Sequence, residues 1–489
     1  MIKRIFLAVL ALVALLVLAV AINTWRQGSR QIDVPPLAPI AVDEKGAAES
    51  LSAAIRARTV SSRDDPALNA DQFEALHAHL QSRYPKLHAT LTREVVGGLS
   101  LLYTWKGSDP TAQPIALMAH QDVVPIAPGT EKDWQAEPFA GTIRDGFVWG
   151  RGAWDDKSNL ISQMEAVEML IASGFQPRRT VYLAFGADEE VGGLRGAKAI
   201  AELLAARKVK LDFVIDEGLL ITEGVLPGLA PPAAVVGIAE KGFMSLKMSV
   251  HATPGHSSLP PAPGTSAIAM MSHALARLDD NQMPAEIQGV ARAMFETVAP
   301  EMSGLNRIAM SNLWLFGPLV KRQLEASPST NAMVRTTAAL TIVNAGNKEN
   351  VLPGRADAVV NFRLLPGDSL ASVQQHAKET VANERFEYAV IPGATEPSGV
   401  APTESSSYKL IERSVRELFP GTVVVPGLMV GGTDSKHFEI VSDHIYKFSP
   451  VRAKPEDLAR FHGTNERVST ANLAELIRFY HRLVEQGAK

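Results

Sequence analysis

The sequence predicts an α/β protein in which a doubly wound, mostly parallel sheet carries a second, smaller α+β domain and follows an N-terminal hydrophobic helix. Three observations support this. Short apolar runs alternate with helical segments, a central stretch alternates apolar and polar residues singly, and an unbroken apolar run lies near the N-terminus. The first pattern is typical of parallel sheets and the second of antiparallel strands with one solvated face.

An apolar run of 18 residues, 5–22, follows Lys3 and Arg4 at the N-terminus. This run is long for a signal peptide and just long enough to span a membrane. The flanking charges predict an exported chain, periplasmic or extracellular, with its N-terminus in the cytoplasm. Ala-Val-Ala at 19–21 offers a cleavage site, so residues 1–24 are either a signal anchor or a cleaved signal peptide. Residues 25–46 are proline-rich and predict a linker.

The folded body is predicted to begin near Ala47. The segments "AAESLSAAIRARTVS", "SNLISQMEAVEMLIASG" and "LRGAKAIAELLAARK" have helical spacing, whereas "SLLYTWKG", "PIALMAH", "TVYLAFGA" and "LDFVIDEG" are short apolar runs that end in polar residues. This is the βαβ alternation of a doubly wound sheet. Such sheets bind ligands beyond the carboxyl ends of their strands.

The composition limits what such a site contains. With 489 residues, 46% of them apolar, the chain is long enough for two domains. Its 48 basic and 52 acidic residues give no electrostatic signature of nucleic-acid binding. It has no cysteine, which excludes thiol nucleophiles, disulfides and Cys-type zinc sites. Any metal must therefore be held by His, Asp and Glu.

Polar residues that suit a hard metal ion close these runs and recur near the C-terminus. They are His120, Asp122, Asp155, Asp156, Asp188, Glu189, Glu190, Asp216, Glu217 and His462. Imidazole and carboxylate donors favour zinc over manganese or cobalt. One zinc needs about three protein ligands. The larger set here predicts a pair of ions, with the adjacent Glu189 and Glu190 able to supply a base and a ligand.

Eight motifs in fixed order resemble one known family. They are "HQDVVP", "GRGAWDDKS", "ADEEVGG", "IDEG", "ATPGHSS", "NVLPGRADAVVNFRLLPG", "GGTDSKHF" and "FHGTNE". Over residues 47–489 the chain resembles the co-catalytic di-zinc amidohydrolases, which include aminoacylase, carboxypeptidase S, glutamate carboxypeptidase and succinyl-diaminopimelate desuccinylase. The spacing of "DEEVGG" and "VIDEG" is most similar to carboxypeptidase S and the secreted N-fatty-acyl-amino-acid hydrolases.

The resemblance implies a role for each residue that matches a family motif. His120 and His462 would each bind one zinc, Asp155 would bridge the two, and a cis peptide would join Asp155 to Asp156. Glu190 would be a terminal ligand. Either Asp216 or Glu217 would be the fifth ligand, and the choice stays open. Asp122 would hold the His120 ring in one tautomer, and Glu189 would remove a proton from a water shared by the two zinc ions, for which cobalt or manganese are substitutes.

A second domain is predicted at residues 241–398, between catalytic segments 47–240 and 399–489. Its strands are expected in "GFMSLKMSVHA" and "ADAVVNFRLLP", and its helices in "GTSAIAMMSHALARL" and "LASVQQHAKETVANE". The resemblance identifies this domain as an inserted lid, which in the family often pairs two subunits, so a homodimer through the lid is expected. The Met- and Pro-rich residues 280–330 predict an enlarged lid.

The resemblance also implies contacts with the substrate. Arg363 and Asn350 match positions that hold the substrate carboxylate, a task that suits a guanidinium. His256 matches a histidine that stabilises the oxyanion in a neighbouring subunit's site. Gly431, Gly432 and Thr433 would offer backbone donors beside that carboxylate. Lys436 stands where relatives commonly have arginine.

The predicted function is zinc-dependent hydrolysis of an amide next to a free carboxylate, in an N-acyl amino acid or at a peptide C-terminus. The identity of the acyl group is open. A non-catalytic peptide-binding protein on the same scaffold is the alternative, although such a protein would have no use for the base Glu189. A single-metal deacetylase acting on sugars is a third option, which predicts indifference to loss of Arg363.

Overall fold

The computed structural model describes residues 1–226 and 228–489. Its helices are α1 (Ile2–Arg26), α2 (Glu44–Arg56), α3 (Ala70–Arg83), α4 (Pro85–Thr90), α5 (Lys157–Ala172), α6 (Ala197–Ala206), α7 (Ala267–Asp280), α8 (Gly289–Val298), α9 (Gly304–Ser311), α10 (Leu313–Glu325), α11 (Pro328–Val334), α12 (Leu370–Val381), α13 (Ser406–Leu418) and α14 (Thr470–Gly487). Its strands are β1 (Thr92–Val96), β2 (Ser100–Trp105), β3 (Ile115–His120), β4 (Thr142–Arg144), β5 (Phe147–Trp149), β6 (Val181–Gly186), β7 (Phe213–Thr222), β8 (Ala233–Glu240), β9 (Gly242–His251), β10 (Gly255–His256), β11 (Thr337–Ala345), β12 (Val351–Leu352), β13 (Arg355–Leu364), β14 (Phe386–Val390), β15 (Val423–Met429), β16 (Ile445–Ala453) and β17 (Arg467–Ser469).

An eight-stranded sheet forms the centre of the molecule, with strand order β1-β2-β6-β3-β7-β16-β8-β15. The pairs β3–β6, β3–β7, β7–β16 and β8–β15 are parallel, whereas β1 and β2 add an antiparallel edge. Helices cover both faces. In β3, Ile115 and Leu117 pack in one buried cluster with α5 and α14, and Ala116 and Met118 pack in another with α6. The predicted doubly wound, mostly parallel sheet is confirmed.

A second sheet is antiparallel and has four strands, in the order β11-β13-β9-β14. Alternate residues of β13 are buried, and they share one apolar cluster with β9, α7 and α12. This is the lid-type α+β unit expected between the two parts of the catalytic sheet. The boundaries at residues 241 and 398 stay a prediction.

The helices of residues 280–330 do not extend the lid sheet, and this corrects the expected enlarged lid. Met294, Phe295 and Val298 of α8 share a buried cluster with residues of β8 and β15, the last two strands at one edge of the catalytic sheet. The physical reason is that β15 is an edge strand buried along nearly its whole length, so its apolar side chains need a cover. Met-rich composition signals burial, but it does not say against which surface.

The N-terminal helix α1 stands apart from these layers, because none of its residues is buried. It is the one helix among residues 1–226 and 228–489 that is long and apolar enough to cross a membrane. The proline-rich segment behind it runs along the catalytic sheet. There, the Gln31 side chain donates to Val424 O at 2.9 Å and accepts from Val424 N at 2.6 Å, so it pairs with part of the edge strand β15. The folded body begins at α2, where Asp43 caps the helix.

We expect Phe295→Ala to lower the free energy of unfolding by about 3–5 kcal/mol, because it opens a cavity between α8 and the catalytic sheet. Urea unfolding of single and double variants tests where that side chain packs. Combined with Val425→Ala of β15, it should show a coupling energy of about 0.5–3 kcal/mol. Combined with Phe386→Ala of the lid core, it should be additive. Coupling to Phe386 instead would place this segment in the lid.

Candidate metal centre

The candidate centre lies at the carboxyl ends of neighbouring parallel strands. His120 is the last residue of β3, and Glu189 and Glu190 begin a turn of 3₁₀ helix just after β6. Two loops complete the site from the side, residues 150–156 and 457–466. They are brought together because β5 pairs with β17, with Arg467 opposite Trp149, and because Gly150 N donates to Glu466 O at 3.0 Å.

The Asp155 carboxylate lies between the two histidines. Its Oδ1 is 2.9 Å from His120 Nε2, and its Oδ2 is 2.7 Å from His462 Nε2. Glu190 Oε1 is 3.4 Å from the same His462 nitrogen. Ligand atoms of His120, Asp155 and Glu190 all lie within 4.8 Å of one another. One carboxylate facing two imidazoles is the arrangement expected of a residue that bridges two cations.

Glu466 fixes the position of Asp155. Its Oε1 accepts hydrogen bonds from the backbone N–H of Trp154 at 2.8 Å and of Asp155 at 3.0 Å. Its Oε2 accepts from Arg151 at 2.6 Å, and Arg151 also donates to the carbonyl oxygens of His462 and Gly463, both at 3.1 Å. This buried ion pair therefore ties the Asp155 loop to the His462 loop. The Asp155–Asp156 peptide is cis, as the resemblance implied.

Asp122 contacts both the His120 ring and the turn that carries Glu189 and Glu190, and the sequence predicts only the first contact. His120 Nδ1 lies 2.9 Å from the Asp122 carbonyl oxygen and 3.5 Å from its carboxylate, so the backbone holds the ring more closely than the side chain does. The carboxylate accepts from the backbone N–H of Glu189 and of Glu190, each at 3.1 Å, and from Ser61 Oγ at 2.6 Å. Asp122 thus positions the turn that carries both glutamates.

The structure separates Asp216 from Glu217. Asp216 Oδ2 accepts from Ser435 N at 2.9 Å, and its Oδ1 accepts from Glu217 N at 2.9 Å. Glu217 instead lines the same cavity as Asp155 and Glu190. The strand does not end here, as the sequence suggested, but continues to Thr222 with a shift of register against β16 at this point. A bulge of this kind re-aims a side chain.

Burial sets the protonation of the acids. It raises the pKa of Glu189 well above its ordinary value, against the attraction of His120 and with repulsion from Asp434. Burial likewise raises the pKa of Glu217, and repulsion from Asp155 adds to it. Conversely, the hydrogen bond with Asp155 and the nearby Glu190 carboxylate raise the pKa of His462 to about 10. So many buried carboxylates demand positive charge, supplied by protons or by metal ions.

A buried oxygen atom of Glu190 is a second reason to expect a cation at this donor set. Glu190 Oε1 is buried and makes no hydrogen bond within residues 1–226 and 228–489, which is costly unless another partner is present. Oxygen and imidazole donors suit zinc and similar divalent ions. The residues therefore fit a metal centre, and their number and the bridging position of Asp155 fit two ions.

A cavity of about 450 Å³ opens from these acids towards the lid. The lid side contributes Lys241, Phe243 and Arg363, with the Arg363 guanidinium 4.8 Å from the Phe243 ring centre. Burial and the nearby Arg363 lower the pKa of Lys241 to about 7, although its ammonium donates to the carbonyl oxygens of Ala332 and Arg335. The cavity is therefore lined by both acidic and basic side chains.

The predicted substrate residues divide into two groups. Arg363, Gly431, Gly432 and Lys436 line the cavity. The Thr433 side chain is buried beside it and donates to Glu240 Oε2 at 3.2 Å. His256 and Asn350 do not line the cavity. They are exposed near a small two-stranded sheet, where Ser257 N donates to Asn350 O at 3.0 Å.

Sequence reasoning missed several residues of the site. Glu466 carries the Asp155 loop, and Glu240 and Lys241 stand where β8 gives way to β9 at the cavity wall. Asp434 is buried, and neither of its carboxylate oxygens has a hydrogen-bond partner among the described residues. "AEKGF" carried the one usable signal, charged residues after an apolar run. Nothing local distinguished Glu466 from a surface acid in "TNERV".

Comparisons with known proteins identify the family of this chain. The model of the family described as "Peptidase family M20/M25/M40" matches residues 116–486. The N-fatty-acyl-amino acid synthase/hydrolase PM20D1 of Xenopus tropicalis is 41% identical over 449 residues, covering 91% of this chain and 86% of that protein. Probable carboxypeptidase S-like 2 of Dictyostelium discoideum is 37% identical over 486 residues, covering 97% and 92%.

Solved structures share the fold at low sequence identity. An M20 family metallo-carboxypeptidase from Sulfolobus solfataricus superimposes with a TM-score of 0.64 at 16% identity, covering 91% of this chain and 99% of that one. Human carnosine dipeptidase 1 gives a TM-score of 0.63 at 16% identity, covering 91% and 96%.

The geometry predicts which variants lose metal. We expect His462→Ala and Glu217→Gln each to weaken metal binding by more than the about 10–100-fold typical of losing an outer hydrogen-bond partner. Asp216→Asn should retain more metal than Glu217→Gln, because its oxygens are held by backbone N–H groups. Metal content of purified protein, measured by inductively coupled plasma mass spectrometry, checks this. His256→Ala is the matched histidine control. Full occupancy in His462→Ala would show that His462 is not a metal ligand.

Proposed function

The chain belongs to peptidase family M20/M25/M40 and is a carboxypeptidase-type amidohydrolase, and from this premise we propose which bond it cuts and how. The proposed reaction is hydrolysis of the amide that joins an acyl or peptidyl group to an amino acid with a free carboxylate. The observation that carries it is the cavity, which joins a cluster of buried acids to Arg363 and Lys241. A substrate bound there by its carboxylate would present the neighbouring amide to the acids.

The proposed cofactor is a pair of zinc ions. The residues that would hold them are His120, Asp155, Glu190, Glu217 and His462, with Asp155 shared. Asp216 would support the site from outside, through its hydrogen bonds with the backbone N–H groups of Glu217 and Ser435. When bound, such ions supply Lewis acidity, which polarises a carbonyl oxygen and makes a nearby water more acidic. The chain contributes the placement of the donors, through Glu466 on one side and Asp122 on the other.

Glu189 is the proposed general base. It lines the cavity beside Asp155 and Glu190, and Asp122 holds its backbone N–H. Burial keeps its proton affinity high. A carboxylate with raised pKa can take a proton from the attacking water and then give it to the leaving amine. A protein that only binds peptides would not need such a group.

Arg363 is the proposed anchor for the substrate carboxylate, with Lys436, Gly431 and Gly432 around it. A guanidinium can bind a carboxylate through two parallel hydrogen bonds, which also fixes its orientation. Phe243, Met429 and Phe461 give the cavity its apolar surface. These contacts favour an N-acyl amino acid or an apolar peptide end, in keeping with the names of the two relatives.

His256 and Asn350 would serve only a neighbouring subunit, since they do not line the cavity of their own chain. A homodimer through the lid is the proposed route. The edge strand β11 exposes Leu340, Ile342 and Val343, and an apolar edge strand is a surface suited to pairing with a second copy. Helix α1 would direct export of the protein to the periplasm or cell exterior, either as a membrane anchor or as a cleaved signal peptide.

We expect Glu189→Gln to lower kcat by about 10²–10⁴-fold, because the amide cannot accept the proton, while the metal content stays near that of the parent. Steady-state rates on acetyl-, long-chain acyl- and dipeptide substrates, with metal analysis of the same samples, measure this. Glu404→Gln changes an exposed acid outside the cavity and serves as control. Unchanged turnover would remove Glu189 as base. Two bound ions and no turnover on any substrate, in the parent protein, would favour a binding protein.

Arg363→Lys should raise KM chiefly for substrates with a free carboxylate, because an ammonium cannot reproduce the two-pronged contact. Amidated forms of the same substrates should be affected much less. Arg385→Lys, an exposed lid position whose side chain donates to His251 O, is the matched control. An equal rise in KM for free and amidated substrates would contradict the anchor.

A further inference from the structure

Helix α1 is hydrogen-bonded at its C-terminal end to the junction between α9 and α10. Asn23 Nδ2 donates to Ser311 O at 2.7 Å, and Gln27 Nε2 donates to the same oxygen at 2.9 Å. Asn312 Nδ2 in turn donates to Thr24 Oγ1 at 2.8 Å. These bonds fix where the end of α1 stands relative to α9 and α10.

The junction lies at the level where the apolar run of α1 ends. Asn312 Nδ2 is also 3.5 Å from Val20 O, inside the run of residues 5–22, whereas Asn23, Thr24 and Gln27 follow that run. At about 1.5 Å per residue the run is about 27 Å long, which matches the hydrocarbon thickness of a bilayer. If α1 crosses a membrane, the α9–α10 junction therefore lies at the boundary between lipid and water.

Large apolar side chains on α9 and α10 are exposed beside this junction. Leu305 is 82% exposed, Trp314 60% and Leu319 64%. On α10, Trp314 and Leu319 are therefore exposed, whereas Val320 and Leu324 are buried. The indole N–H of Trp314 donates to Asn312 Oδ1 at 3.2 Å. Tryptophan at a membrane surface typically has a satisfied N–H and an exposed ring.

Basic residues accompany these apolar side chains. They are Arg26, Arg30, Arg307, Lys321 and Arg322, of which Arg30 pairs with Glu296. Arg307 is also directed towards α1, with its guanidinium 3.5 Å from Gln27 O. An apolar surface bordered by Lys and Arg is the composition of segments that lie in the interface of a membrane with anionic lipids.

We propose that residues 304–325, here called the α9–α10 shoulder, rest on the lipid surface next to α1 and seat the catalytic body on the membrane. The proposal goes beyond the hydrolysis proposed above and rests on α1 remaining attached and crossing the bilayer. The contact with α1 and the surrounding basic groups favour lipid over a second protein as the partner. Leu305, Trp314 and Leu319 would reach the boundary between head groups and acyl chains, and the basic side chains would contact phosphates.

The absence of cysteine makes the test direct, because each introduced thiol is the only one. Full-length Leu305→Cys and Leu319→Cys are labelled with a nitroxide and reconstituted into vesicles of phosphatidylcholine and phosphatidylglycerol. Power-saturation electron paramagnetic resonance then compares collisions with oxygen, which concentrates in lipid, and with a water-soluble nickel chelate. Val13→Cys, in the middle of α1, reports the span. Leu259→Cys, an 80% exposed lid position, is the aqueous control.

We expect the labels at 305 and 319 to be more accessible to oxygen than to the nickel chelate, as at 13, with the reverse at 259. If the labels at 305 and 319 behave like the one at 259 while the label at 13 stays in lipid, the proposed lipid contact of the α9–α10 shoulder is wrong, and α1 still spans the membrane. Labels shielded from both reagents would indicate a protein contact and also overturn it. A water-exposed label at 13 would remove the span and the proposal with it. Hydrolysis measured on the same samples reports separately on the proposed function.

Discussion

The whole site depends on the placement of one carboxylate between two imidazoles. Asp155 faces His120 Nε2 with one oxygen and His462 Nε2 with the other. Asp156, Glu189, Glu190 and Glu217 surround this trio, and all are strongly buried or line the same cavity. Such a density of buried negative charge is tolerated only when protons or metal ions compensate for it. Every other part of the site serves to hold these acids together or to give a substrate access to them.

Holding them together requires contacts between distant parts of the chain. The Arg151–Glu466 ion pair joins residues 315 positions apart, and the β5–β17 pairing closes the same link through the backbone. The second support is Asp122, which connects β3 to the turn after β6. The candidate metal ligands therefore converge only once the C-terminal segment has joined the sheet. Binding of a metal ion at this site would consequently be coupled to completion of the fold, since the unfolded chain has no such site.

Much of this could be predicted from the sequence where the signal is local. His120, Glu189 and Glu190 follow apolar runs that are indeed buried strands, and the inserted antiparallel sheet follows from its alternation. Successive residues of a strand normally point to opposite faces, but a bulge changes this alternation here. The sequence therefore could not show which of Asp216 and Glu217 faces the cavity. The register shift against β16, beside Gly218 with a φ of +143°, exists only in the paired sheet. A side chain at Gly218 would also lie 2.9 Å from Lys447 Cβ.

The segment of residues 280–330 shows why composition can predict burial without predicting location. Its composition predicts an enlarged lid, because the segment lies between two lid strands in the sequence. In the structure, α8 covers β15, while α9 lies beside α1 and α10 packs on α9. The same insertion thus covers the edge of the catalytic sheet and meets α1, whose length and composition suit a bilayer. Because α8 packs firmly on the sheet that carries His120 and Glu217, a membrane contact made by α9 and α10 would fix the orientation of the catalytic sheet, and not only its distance from the lipid.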